Sequence, residues 1–287
     1  MTPASENPAN GANSQWVVIL GVSSGSGAAI GSSLARLRGL NVFGLHRGHY
    51  PQGAAALADE VTACGQRAEF LIDDAGNADA AERGAQQLLK IAGKCSVSVV
   101  VHAIANGSIG HLVGPKPMHP KQVQKTFDAM AHSFLYWVQA LVAHDLLAPG
   151  ARIFGLSNPC CESLLHNVGV ISAAKAALEM YVRHLAFELG PHGFRVNLIK
   201  YGAVETAALK HIFTDDAWKN LVAQHAAMIP AGRMVTVQEV VDLVALLTSD
   251  AALWFNGATI DFSGGQAQSL YNAMMHPHFA HDASPRP

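Results

Sequence analysis

Seven short runs of apolar residues are spaced along this chain, and between them lie longer stretches whose apolar residues recur at helical spacing. The runs are WVVILG (16–21), NVFGL (41–45), AEFLID (68–73), SVSVVVHAI (96–104), ARIFGLS (151–157), FRVNLIK (194–200) and ATIDFS (258–263). The helical stretches cover 28–38, 53–64, 78–92, 120–147, 172–189 and 237–248. A strand solvated on one face alternates apolar and polar residues, whereas one that is apolar throughout is covered on both faces. Strands of that kind, separated by helices, predict an α/β protein with a doubly wound, seven-stranded parallel sheet, since right-handed crossovers put helices on both sides. No internal repeat and no second domain is visible, so residues 15–270 are expected to form one domain. The Pro-, Asn-, Ser- and Ala-rich residues 1–14 read as a disordered tail, and 271–287 as a C-terminal tail. His276, His278 and His281 in that second tail have metal-binding chemistry, but a solvated end is the preferred reading and no metal is expected.

Composition excludes several function classes. With 50% hydrophobic and 14% charged residues the chain is globular, and the low charge implies that much helix surface is buried, within the chain or between subunits. Lys+Arg 19 against Asp+Glu 21 leaves no basic stripe for nucleic acid or a membrane surface. No apolar run approaches the roughly 18 residues of a membrane-spanning helix, and the first residues lack the features of a signal peptide. The four cysteines (Cys64, Cys95, Cys160, Cys161) show neither zinc nor disulfide spacing, which fits a reducing, cytoplasmic setting.

The chemistry-bearing residues begin where the first strand ends. GVSSGSGAAIG follows that strand directly and opens the first helix. Gly21, Gly25 and Gly27 allow a sharp turn and close backbone approach to a pyrophosphate, whose charge a helix N-terminus favours; close strand–helix packing is the alternative use of such glycines. Ser23 and Ser24 would add hydroxyl donors. After the second strand the chain reads LHRGH, with His46 and Arg47 where an acidic residue would hold the ribose of NAD. A cation there suits a 2′-phosphate, so NADPH is expected over NADH, with a merely solvated arginine as the alternative. Asp73 and Asp74 end the third strand, placed either to accept from an adenine amino group or to cap the next helix.

The order of these pieces, with VHAIANG (101–107), KAALEMYVRHLAFELGPHGFRVN (175–197), YGAVETAALKHI (201–212), PAGRMVTVQEVVDLVALLTSD (230–250) and GATIDFSGGQ (257–266), resembles the short-chain dehydrogenase/reductase (SDR) family from about residue 15 to 270. The likeness is greatest to the bacterial NADPH-dependent enoyl-acyl-carrier-protein reductases. It implies a single Rossmann-fold domain, and it implies that Lys175 holds the nicotinamide ribose, that His102 and Ala103 lie near it, and that Gly202 and Thr206 follow the sixth strand at the cofactor. In the family that lysine also lowers the pKa of a tyrosine that donates a proton to the substrate. Enoyl reductases place the tyrosine seven residues before the lysine and most other members four before. Those positions hold Val168 and Ile171, neither of which can donate a proton. Ser157 keeps the enoyl-reductase spacing to Lys175, so the register carries no insertion; Asn158 replaces a second tyrosine, and Met130 stands where other members have an asparagine.

Two residues stand near enough in the expected fold to replace the tyrosine. Tyr201 follows the sixth strand, where it would either point into the site or pack on the sheet edge. His166 lies in the 158–168 loop with Glu162, Ser163 and Asn167, and a solvated loop histidine is the competing reading. Leu164, Leu165, Val168, Ala208, Leu209, Ile212, Phe213 and Trp218 describe an apolar pocket, with 203–228 as a mobile cover. The expected function is NAD(P)H-dependent reduction of a conjugated C=C bond, as in an enoyl thioester or related biosynthetic intermediate of fatty acid or polyketide type. Ketone reduction is disfavoured because an alkoxide needs a placed acid more than an enolate does. The alternative is a catalytically silent or repurposed subunit that pairs with an active homologue or performs non-redox chemistry. In the family the long helices, here 120–147 and 172–189, pair subunits, so a homo-oligomer (dimer or tetramer) or hetero-oligomer is expected. Phe134, Leu135, Trp137 and Leu141 would face Leu178, Tyr181, Leu185 and Phe187 there.

Overall fold

The computed structural model describes residues 14–162, 166–204 and 215–266. Seven parallel strands form one sheet in the order β3-β2-β1-β4-β5-β6-β7. They are β1 (Trp16–Leu20), β2 (Asn41–His46), β3 (Ala68–Ile72), β4 (Val97–His102), β5 (Leu147–Ser157), β6 (Arg195–Tyr201) and β7 (Thr259–Phe262). The helices are α1 (Gly25–Arg38), α2 (Pro51–Ala63), α3 (Ala78–Ala92), α4 (Pro120–Phe127), α5 (Ser133–Ala143), α6 (Gly169–Leu189), α7 (Asp215–Met228) and α8 (Val237–Leu247). The chain runs outward from β1 to β3, then returns to β4 on the other side of β1. The strand ends diverge at that reversal, and the crevice it opens is where α/β sheets bind ligands. Among the described residues no helix is long and apolar enough to cross a membrane.

Both sheet faces are covered, as uniformly apolar strands require. On one face Trp16, Val18, Phe43, Ile153 and Leu198 pack with Phe134, Trp137 and Leu178 of α5 and α6. On the other Val17, Ile19, Phe154 and Ile199 pack with Ile30 and Leu34 of α1, Leu57 of α2 and Val241 of α8. Each such fully buried side chain contributes roughly 1.5–3 kcal/mol. This arrangement corrects the expected subunit interface. Phe134, Trp137, Leu141, Leu178 and Leu185 are buried within the chain's own core. On the outer surface of these helices stand Val142, Met180 and Phe187, the last 83% exposed.

Two further expectations change. The single helix expected over 120–147 is α4 and α5 joined by one π turn, Asp128–His132. There the Ser133 N–H reaches back five residues to Asp128 O, and the Ser133 hydroxyl donates to Ala129 O at 2.8 Å. A serine hydroxyl that takes the carbonyl four residues back competes with the α-helical ladder, which is a recognised cause of local distortion. Residue 147, counted with that helix, and 148–150, assigned to neither element, open β5. Within 203–228, α7 is helical, whereas residues 205–214 lie outside the description, as do the two chain ends, including His276, His278 and His281 in the second.

Helix α3 approaches α5 closely because it offers Ala80, Ala81, Gly84 and Ala85 to its buried face. A Cβ on Gly84 would lie 2.3 Å from Trp137 Cη2, and that indole is wholly buried. Gly84→Ala should therefore destabilise the chain by about 1–3 kcal/mol. Denaturant unfolding should show a lower midpoint with an unchanged slope.

Candidate functional site

At the carboxyl ends of β1, β2 and β4 lies a cleft of about 380 Å³. Its floor is the turn that leaves β1. Gly21 has φ 92, and a Cβ there would stand 2.8 Å from Ala103 O; one on Gly27 would stand 2.0 Å from Gly21 O. Only glycine permits this stacking of α1 on the ends of β1 and β4. The first turn of α1 has no acidic residue, and its N-cap Ser24 makes no side-chain capping bond. Its free N–H groups thus present positive potential to the cleft. Ser23, Ser24, Gly25 and Ser26 all line it.

The walls separate the candidates at the second and third strands. Arg47 lines the cleft, as do His49 and Tyr50. His46 is buried edge-on against Phe70, and its Nδ1 accepts the Gly48 N–H at 3.1 Å. Burial holds its pKa below the ordinary histidine value, so it is a neutral support and Arg47 is the cation. Asp73 is engaged by Arg83 of α3, whose Nε donates at 3.2 Å, and this hydrogen bond lowers the Asp73 pKa. Asp74 faces the cleft while accepting the Gly76 N–H at 3.0 Å. The cap of α3 is Asn77, whose side chain accepts from Asp79 N.

Behind the cleft, Lys175 is buried on α6 and donates to Leu156 O at 2.7 Å and Ile104 O at 3.3 Å. It therefore joins the ends of β5 and β4. Ala103 and Ile104 line the cleft. His102 is fully buried, and its Nε2 lies 2.8 Å from Ser133 Oγ. The single hydroxyl proton of Ser133 goes to Ala129 O, so the imidazole carries its proton on Nε2 and donates it to Oγ. Burial first, and the charge of Lys175 second, push the His102 pKa down to about 3.

The positions counted back from Lys175 are apolar in space as well. Val168 immediately precedes α6. A Cβ on Gly107 would meet Ile171 Cγ1 at 2.6 Å and Met130 Sδ at 2.9 Å, so Gly107, Ile171 and Met130 form one packed wall. Tyr201 is on the other face of the sheet, with the α1–α2–α8 core, and its phenol donates to Ser26 Oγ at 3.1 Å. Burial raises its pKa. The phenol thus belongs to the glycine turn. Gly202 lies under Gln266, whose Oε1 accepts the Ala203 N–H at 3.2 Å. His166 is exposed on the loop before α6. Thr206, Ser163, Leu164, Leu165, Ala208, Leu209, Ile212 and Phe213 lie outside the described residues.

Sequence reasoning missed Ser26, Ser133 and the ion cluster at Lys200. Lys200 alone carried a signal, a lysine inside the apolar run FRVNLIK.

Comparison with known proteins places residues 21–267 in the family described as enoyl-(acyl carrier protein) reductase. The enoyl-[acyl-carrier-protein] reductase [NADH] of Escherichia coli is 31% identical over 147 residues, 51% of this chain and 54% of that protein. The chain thus matches about half the length of that relative. An uncharacterised oxidoreductase of Methylorubrum extorquens is 28% identical over 86% of this chain and 96% of its own. Among solved structures, a short-chain dehydrogenase/reductase from Serratia marcescens superposes with a TM-score of 0.77 at 22% identity, covering 88% of this chain and 98% of its own. A short-chain dehydrogenase from Burkholderia cenocepacia in complex with NADP also gives 0.77 at 22% identity, over 88% and 97%.

A neutral buried histidine ties stability to pH. Unfolded, His102 takes up a proton below about pH 6.5; folded, it does so only near pH 3. Protons therefore favour the unfolded chain as pH falls through that window. Between pH 6 and 4.5 stability should drop by about 1.4 kcal/mol per pH unit from this group, with a smaller share from His46. Denaturant midpoints across that range should show the slope, and His102→Gln should flatten it.

Proposed function

This chain belongs to the enoyl-(acyl carrier protein) reductase family of short-chain dehydrogenase/reductase proteins, and we propose that it is an NADPH-dependent reductase of a conjugated C=C bond that works without the family's tyrosine. The substrate in this reading is an enoyl thioester or a related conjugated intermediate. The observation that carries it is the pairing of a buried Lys175 behind the cleft with aliphatic residues at both positions where a phenol would stand.

The cleft fits a nicotinamide dinucleotide. Gly21 and Gly27 let the turn and the start of α1 lie close against the strand ends, the N-cap of α1 makes no side-chain capping bond, and Arg47 is in none of the ion pairs found among the described residues. Arg47 supports the 2′-phosphate form, and Asp74 rather than Asp73 is the acceptor left for an adenine amino group. Reduced nicotinamide supplies hydride when bound.

The chain's own contribution is electrostatic. Lys175 places a fixed positive charge beside the ends of β4 and β5, where negative charge on a substrate oxygen is stabilised without reorganisation. Gly107, Met130 and Ile171 add apolar surface one helical turn before Lys175, and water displaced from it strengthens the interaction. An enolate formed there needs stabilisation first and a carbon-bound proton second, so solvent suffices as the proton source. An alkoxide would be left without a placed acid, which is why the reading favours C=C over C=O reduction. Tyr201, bound to Ser26 across the sheet, serves the cofactor side in this account, and exposed His166 has no assigned step. Residues 15–270 act as one domain, and subunits associate through the outer faces of α5 and α6.

Fluorescence titration with NADPH, followed by crotonyl thioester in the same cuvette, tests the proposal. Turnover should be present and should fall at least about a hundredfold in Lys175→Met. NADPH binding without turnover on any enoyl substrate would instead favour a silent subunit. Arg47→Ala should weaken NADPH binding about tenfold or more while leaving NADH binding unchanged.

A further inference from the structure

Two lysines flank the carboxyl end of β5. One is Lys175, held by Leu156 O. The other is Lys200 of β6, paired in register with Ser157 of β5 and with Asp261 of β7. Lys200 alternates in step with Leu198, which packs in the α3–α5–α6 core, so its side chain leaves the sheet on the α6 face. It is 8% exposed, and its Nζ donates to Glu162 Oε1 at 2.7 Å and lies 3.3 Å from Asp261 Oδ2. Burial alone would lower its pKa, but the two carboxylates outweigh burial and hold it above the ordinary lysine value.

The two carboxylates differ in kind. Asp261 is built into the sheet and also accepts the Ser263 N–H at 2.9 Å, so it stays with Lys200 whatever else happens. Glu162 comes from the connection between β5 and α6, and its side chain is 38% exposed. The short turn before it is capped by Asn158 and needs no help from a carboxylate. Asp261 already balances Lys200, so Glu162 adds a surplus negative charge, on a side chain that reaches solvent. Asp261 also borders a cleft of about 500 Å³, beside Arg233 and Gly264.

We propose that Lys200 anchors a carboxylate group of the substrate and that Glu162 is a resident stand-in which this group displaces. The inference deepens the reductase reading and rests on this strand edge being its substrate side. The ligand class is a conjugated intermediate that also bears a free carboxylate, and this carboxylate replaces that of Glu162 on the same ammonium. A monoanion of this geometry exchanges like for like, with no new charge left buried.

Crotonate, a short conjugated carboxylate, is the probe. Calorimetric titration of the full chain should show binding that tightens about tenfold in Glu162→Gln, because the competitor is gone. Lys200→Met should lose the binding, and Lys200→Arg should retain it. A pure strap between loop and sheet gives the opposite sign, with Glu162→Gln binding crotonate no better than, or worse than, the parent chain. That result overturns the proposal, as does undetectable binding by Glu162→Gln or full binding by Lys200→Met. NADPH titration of the same samples separates the two readings. Loss of NADPH binding by the parent chain ends the reductase proposal, while the crotonate comparison is read from the sign of the Glu162→Gln effect alone.

Discussion

The contact on which the rest of this molecule depends is backbone against backbone. Helix α1 lies so close to the end of β1 that Gly27 has no room for a single methyl group beside Gly21 O. That approach aims the start of α1 into the gap left by the reversal of the sheet. It also leaves Gly21 stacked on Ala103, so the ends of β1 and β4 form one continuous floor. Arg47, Asp74 and Tyr201 are then brought to the same cleft by strands that are fixed only because both faces of the sheet are buried.

Lys175 shows how such a frame holds a charge. Its ammonium sits between the Leu156 carbonyl near the end of β5 and the Ile104 carbonyl just beyond β4. The same charge helps keep His102 neutral, and neutral His102 braces the helix that contains the π turn through Ser133. Cleft, lysine and distorted helix are therefore one electrostatic unit, although they come from three separate stretches of sequence.

Much of this was legible in the residues because it depends on local pattern. Uniformly apolar runs marked all seven strands to within a few residues, and the glycine spacing after WVVIL marked the turn that matters most. What the pattern hides is direction. Phe134, Trp137 and Leu178 are apolar whether they face a partner subunit or their own sheet, and only the packed structure shows that they face the sheet. Asp73 and Asp74 are adjacent and chemically identical, yet one is taken by Arg83 and the other lines the cleft. The π turn depends on one hydroxyl choosing a carbonyl, which no hydrophobic periodicity records. Helix α7, with its weakly amphipathic DDAWKNLVAQHAAM, was likewise hidden.

The packed wall of Gly107, Met130 and Ile171 has a stereochemical consequence. A residue that donates a proton from a fixed point also decides which face of a carbon receives it. Side chains made only of carbon, hydrogen and sulfur have no such proton to place. In the proposed reduction the cleft dictates the face that hydride attacks, so with a branched substrate or an isotopically labelled hydride the carbon it reaches has a defined handedness. The neighbouring carbon, protonated from water, inherits handedness only from whichever side the wall leaves open.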